Sequence, residues 1–77
     1  MTAKEMFEQI GWMDVSERYP SHVCVYQHQH ALITFFENGI FGCFGGVVAE
    51  LEGECYPLDM KELTAVYQQC KELGWLE

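Results

Sequence analysis

The chain has 77 residues, enough for one domain, and its 12 acidic against 4 basic residues give a formal net charge of −8. Only four side chains could neutralise the phosphates of a nucleic acid: Lys4, Arg18, Lys61 and Lys71. Direct binding to nucleic acid or to an anionic membrane surface is therefore disfavoured, whereas a basic protein partner is electrostatically allowed.

The sequence carries no signal for a membrane or for secretion. No stretch approaches the run of about 20 apolar residues that spans a bilayer, and the first residues lack the apolar segment of a secretory signal. We therefore expect a cytoplasmic protein with no membrane partner. In that reducing compartment the four cysteines would be free thiols, and their spacing matches no common zinc motif.

The first predicted element is a helix that ends at Gly11. Thr2 and Glu5 form a capping box at its start. Gly11 can take the left-handed conformation, after which Trp12 folds back onto the last turn. Apolar residues recur between these ends at helical spacing: Ala3, Met6, Phe7 and Ile10. The polar residues 13–21 that follow are predicted to be a connector.

The middle of the chain predicts an antiparallel meander of three to four strands. β-branched and aromatic residues predict strands over 22–28, 31–36 and 40–44. Asn38-Gly39 between two apolar runs is a strong hairpin signal. Residues 47–56 are a candidate fourth strand, bent near Gly53.

The last predicted element is a second helix. Asp59 and Glu62 form another capping box, and Leu73-Gly74-Trp75 repeats the ending of the first helix. Its core-facing stripe is predicted to be Met60, Leu63, Val66, Tyr67, Cys70 and Leu73. The predicted fold is thus one α+β domain over residues 1–77, a two-layer sandwich of order α-β-β-β-(β)-α whose two helices can pack on one face of the meander.

The two chain ends resemble a known group of proteins. The start, TAKEMFE at residues 2–8 with Gly11, and the end, residues 58–76 with ELGWL at 72–76, are similar to small uncharacterised proteins of phages and prophages of Gram-positive bacteria. The resemblance implies no catalytic residues. It implies an accessory protein of a mobile element that acts on a host component.

Two histidines offer a different chemistry. His28 and His30 could supply nitrogen ligands, so a small metal- or ligand-binding module is the alternative function. Cys24 would lie about 13 Å from His28 on a straight strand, too far to share one ion. Cys24 near His22 is the one local nucleophile–base pair, and no glycine loop precedes a helix as a phosphate cradle would require. We therefore predict no metal, no cofactor and no enzymatic activity.

Three glutamates alternate along the candidate fourth strand. Glu50, Glu52 and Glu54 would lie on one face at intervals of about 6.6 Å, close to the spacing of phosphates along one nucleic-acid strand. One interpretation is a nucleic-acid mimic that occupies a host protein's groove. The other is an edge strand whose charges prevent pairing with neighbours.

Both faces of the predicted sheet are apolar. Val25 opposes Tyr26 along one strand, and Phe36 opposes Phe35 along the next, whereas a sheet with one solvated face normally alternates apolar with polar residues. Two helices cover only one face. Either one helix lies on each face, or another subunit or a partner closes the second face.

The predicted function follows from this uncovered face. We expect a small acidic, non-catalytic accessory protein that binds a host protein, with a homodimer as a second form of association. A narrower version is an inhibitor of a nucleic-acid-handling or defence enzyme. The predicted partner-binding residues are Tyr26, Phe35, Phe41, Glu50, Glu52 and Glu54.

Overall fold

The structure, a computed structural model, describes residues 1–37 and 45–76. The predicted strand over 40–44, the Asn38-Gly39 turn and Phe41 lie outside these ranges. Within them the chain forms two α-helices, a short 3-10 helix and five strands: α1 (Ala3–Gln9), β1 (Met13–Asp14), the 3-10 helix (Ser16–Arg18), β2 (Cys24–His28), β3 (Ala31–Glu37), β4 (Gly45–Leu51), β5 (Glu54–Cys55) and α2 (Met60–Glu72).

The strands form one antiparallel sheet in the order β1-β2-β3-β4-β5, so each strand pairs with its neighbours in sequence. The predicted α+β meander with a helix at each end is confirmed. Two details differ from the prediction. Residues 13–14, predicted as part of a connector, form the edge strand β1, and the candidate fourth strand over 47–56 is two strands joined by a turn.

Both helices end in the same way, as predicted. Gly11 and Gly74 have φ angles of 90° and 80°, the left-handed conformation that glycine adopts without a steric cost. The N–H of Trp12 donates to the Phe7 carbonyl at 2.9 Å, and the N–H of Trp75 donates to the Cys70 carbonyl at 3.0 Å. These are Schellman motifs, and each tryptophan folds back onto its own helix.

Both helices pack on the same face of the sheet. Tyr26 of β2 and Ile33 of β3 are directly opposite one another and share that face. The Phe7 ring of α1 stacks on Tyr26 with ring centroids 4.0 Å apart, and Ala65 of α2 belongs to the same buried cluster. The predicted two-layer sandwich is therefore confirmed, and neither α-helix of the described residues packs on the other side of the sheet.

The face that helix α2 presents to the core matches the prediction only in part. Its buried residues are Glu62, Ala65, Val66 and Gln69. Met60, Leu63 and Tyr67, predicted to face the core, are 74%, 48% and 59% exposed. Val66, Cys70 and Leu73 do meet the core as predicted. The other half of the stripe was wrong because two polar side chains on the helix point inward and find partners there.

Those inward polar side chains are held by hydrogen bonds from buried aromatic residues. The indole Nε1–H of Trp12 donates to Glu62 Oε2 at 3.0 Å, and the hydroxyl of Tyr56 donates to the same oxygen at 3.1 Å. The Tyr26 hydroxyl donates to Gln69 Oε1 at 2.6 Å. Across the described ranges, no buried side-chain polar atom lacks a partner, as a stable core requires.

Neither α1 nor α2, the helices of the described ranges, has the length and apolar character to cross a membrane.

Candidate functional site

The side of the sheet that faces away from both helices is the main candidate surface, and we call it the open face. It is formed by alternate residues of the three central strands: Val25, Gln27, Leu32, Thr34, Phe36, Gly46, Val48 and Glu50. Most of its large side chains are apolar. Val48 is 44% exposed, and Leu32, Thr34 and Phe36 are half-buried.

The two ends of the open face differ in exposure. Val25 is buried where residues of the 13–18 segment pair with β2, and the Val15 N–H donates to the Val25 carbonyl at 2.9 Å. At the other end the Phe36 ring lies against Gly46, because a Cβ on that glycine would stand 2.6 Å from Phe36 Cζ. The open face is therefore accessible mainly over β3 and β4.

Two of the predicted partner-binding aromatic residues lie on the covered face instead. Tyr26 and Phe35 are 2% and 0% exposed, packed beneath the helices. The assignment of these two residues to a partner surface was wrong, because alternation showed two apolar faces without showing which one the helices cover. Phe41 lies outside the described residues.

The three predicted glutamates do not form a line along one strand. The chain reverses at Glu52 and Gly53, whose φ angles of 51° and 86° belong to a type I′ turn, so Leu51 lies opposite Glu54. Glu50 is on the open face, Glu52 in the turn and Glu54 on the return strand. The predicted phosphate-like spacing was therefore wrong. The carboxylates instead share one corner of the sheet and give it a negative charge.

His28 and His30 lie at the same end of the sheet as the acidic corner, because His28 is opposite Ala31 and Ala31 is opposite Leu51. His28 Nδ1 lies 2.9 Å from the Gly11 carbonyl oxygen, which can only accept, so this nitrogen carries the proton and donates. Its ring centroid lies 5.5 Å from that of Trp12, and His30 is exposed at the end of the β2–β3 turn. Among the residues described, no three His, Cys, Asp or Glu side chains are grouped to hold a metal ion.

The thiols of Cys24 and Cys70 are poorly suited to nucleophilic chemistry. Burial raises the pKa of Cys24 to about 12, and the charge of Asp14 adds to that rise. Burial also raises the pKa of Cys70. Both thiols are therefore protonated at neutral pH, whereas nucleophilic cysteines are thiolates. His22, the predicted base beside Cys24, is exposed and precedes the start of β2.

A second apolar surface lies on the outer side of α2. Met60, Leu63 and Tyr67 recur there at helical spacing. Next to them a groove of about 480 Å³ runs between the helices, lined by Met1, Met6, Gln9, Ile10, Met60, Lys61 and Thr64. Sequence periodicity missed this surface because it assigned the same residues to the core. The sequence signal for the true orientation of α2 was Glu62. Its capping role places its side chain close to the preceding Asp59 and Tyr56.

Comparison of the chain with protein-family models, with curated proteins and with solved structures finds no match. The resemblance of the chain ends to phage and prophage proteins stays a prediction.

Proposed function

We propose that this chain is a small acidic, non-catalytic accessory protein that acts by binding another protein through the open face of its sheet. The observation that carries the proposal is the packing of both helices on one side. The opposite side keeps Val48 and Phe36 without helical cover in the described ranges. Apolar surface of this kind is typical of a protein–protein contact.

The charge distribution favours a basic partner. The formal net charge is −8, and the corner formed by Glu50, Glu52 and Glu54 adjoins the open face. Opposite charge on a partner would speed its association and make the complex weaker at high salt. The choice of a host protein as that partner is supported by the phage-like ends alone.

The narrower role, as an inhibitor of a nucleic-acid-handling or defence enzyme, is supported by the acidity of the chain. It no longer has the phosphate-like spacing, because the glutamates surround a turn. The alternative function, a metal- or ligand-binding module at His28 and His30, stays a prediction. It would need His28 to bind through Nε2, because Nδ1 donates to Gly11. A thermal shift with zinc tests it, and no stabilisation would exclude a zinc module.

The proposed binding surface is tested by capturing partners from a bacterial lysate with the tagged protein and two variants. Val48→Lys places a charge on the open face, and Leu63→Lys places the same charge on the outer side of α2. Both positions are similarly exposed, at 44% and 48%, so the variants form a matched pair.

We expect a specific protein to be captured by the wild type and by Leu63→Lys but not by Val48→Lys, with unchanged circular dichroism for all three. If Val48→Lys still captures the partner and Leu63→Lys does not, the binding site lies on the α2 surface instead. Capture of no specific protein by the wild type would count against the proposed function as a whole.

A further inference from the structure

A row of side chains crosses the open face from β1 to β4. Met13, Gln27, Leu32 and Glu50 form this row, each directly opposite the next on the neighbouring strand. Glu50, at the β4 end, is half-buried. It is separated from Met13 by three strand spacings of about 4.8 Å, or about 14 Å in all. The open face therefore carries a negative charge on its β4 side.

A cavity lies at the other end of this row. Its volume is about 320 Å³, and it is lined by Gly11, Met13, Val15, Arg18, Gln27 and Gln29. Arg18 is exposed, and of the four basic residues it alone lies outside the two helices. An arginine guanidinium presents its N–H groups in a fixed fork that matches a carboxylate. The cavity is therefore suited to a carboxylate side chain of another molecule.

We infer that a second copy of this chain covers the open face, packed sheet against sheet about a two-fold axis parallel to β3. This strand lies between β4, which carries Glu50, and the β1–β2 side, which borders the Arg18 cavity. Rotation about the axis exchanges the two sides, so Glu50 of each copy faces the Arg18 cavity of the other. A two-fold contact requires a surface that is complementary to itself, and this arrangement of charges meets that requirement.

Apolar residues lie between the two charged contacts. On the open face, Leu32 of β3 is half-buried and Val48 of β4 is 44% exposed. Sheets that pack face to face lie about 10 Å apart, and the side chains of their inner faces interdigitate. Leu32 lies next to the axis and would contact Leu32 of the second copy, with Val48 beside it. Burial of these side chains supplies the attraction, and the two pairs of Arg18 with Glu50 fix the orientation.

This inference rests on the proposed function, because it names an occupant of the same face that a partner has to displace. The formal net charge of −8 makes two copies repel one another. The repulsion keeps the dimer weak. A basic partner is attracted instead and therefore competes with the second copy for the open face.

Sedimentation of the full chain over a wide concentration range tests the inference with two charge reversals. Arg18→Glu and Glu50→Arg each place like charges at both contacts of a homodimer, so we expect each variant alone to dimerise at least about tenfold more weakly than the wild type. An equimolar mixture should restore the dimer. In a mixed pair the two reversed positions meet one another, and the unchanged Arg18 meets the unchanged Glu50. The control is Lys61→Glu, which makes the same charge change as Arg18→Glu on the exposed side of α2 and should dimerise like the wild type.

A wild type or a mixture that stays monomeric would overturn the inference, as would a dimer that neither reversal weakens. Circular dichroism checks that the variants fold. If one does not, methyl NMR of the wild type decides. We expect the Leu32 and Val48 signals to shift as the concentration rises while the Leu63 signals stay constant, and constant Leu32 and Val48 signals would overturn the inference.

The two proposals fail separately. A monomeric wild type that still captures a partner, and loses it in Val48→Lys, leaves the proposed function standing without the dimer. A wild type that dimerises, responds to both reversals and captures no other protein leaves the dimer standing without the proposed function.

Discussion

Glu62 shows how one buried carboxylate orients the last helix. It is 7% exposed and accepts hydrogen bonds from the Trp12 indole and the Tyr56 hydroxyl, while the Asp59 N–H donates to its second oxygen at 2.9 Å. A charge is retained in a protein interior only when it is paired or fully hydrogen-bonded. These three donors meet that condition, and they connect the end of α1 with the start of α2.

Removal of this carboxylate should therefore destabilise the fold. We expect Glu62→Ala to lower the free energy of unfolding by about 2–3 kcal/mol, because the buried Trp12 N–H loses its acceptor. The control is Lys61→Ala at the adjacent exposed position, which should change the stability by less than about 0.5 kcal/mol. Urea denaturation measures both, and equal effects of the two substitutions would contradict the role assigned to Glu62.

The hairpin between β4 and β5 has a sequence that fits its geometry only in part. Its type I′ turn holds Glu52 at a φ of 51°, a left-handed conformation that favours asparagine, aspartate or glycine. The following Gly53 has the residue type that the turn prefers. The acidic corner therefore keeps a charge at a position where another residue would be more stable.

A substitution that suits the turn should stabilise the hairpin. We expect Glu52→Asn to raise the free energy of unfolding by about 0.5 kcal/mol. The control Glu54→Asn removes the same charge outside the left-handed position, and asparagine is disfavoured in a strand, so it should give no gain. Thermal unfolding distinguishes the two variants. A larger gain from Glu54→Asn would show that charge, rather than the turn, limits the stability of this hairpin.

The success of the sequence predictions differed between elements for physical reasons. The capping boxes at Thr2 and Asp59 and the glycine endings of both helices were predicted, because each depends on residues within one turn. The face of α2 that meets the core was predicted only in part. Apolar periodicity assigns no weight to an inward glutamate, and the partners of Glu62 and Gln69 come from distant parts of the chain.

For the molecule as a whole, the sequence predicted the existence of an uncovered apolar face but not its identity. The alternation along β2 and β3 places apolar residues on both sides, so either side could receive the helices. Packing decides between them, because the Phe7 ring stacks on Tyr26 and buries that side. The partner-binding residues chosen from the sequence were therefore on the wrong face, and the open face carries Leu32, Phe36 and Val48 instead.

Photocrosslinking tests this account most directly. A photoreactive amino acid is placed at Val48 on the open face or at Leu63 on the opposite side of the molecule, and the protein is irradiated in the presence of its captured partner. Because the open face is the proposed contact, we predict a covalent adduct with the partner from position 48 and none from position 63. An adduct from position 63 alone would contradict the account.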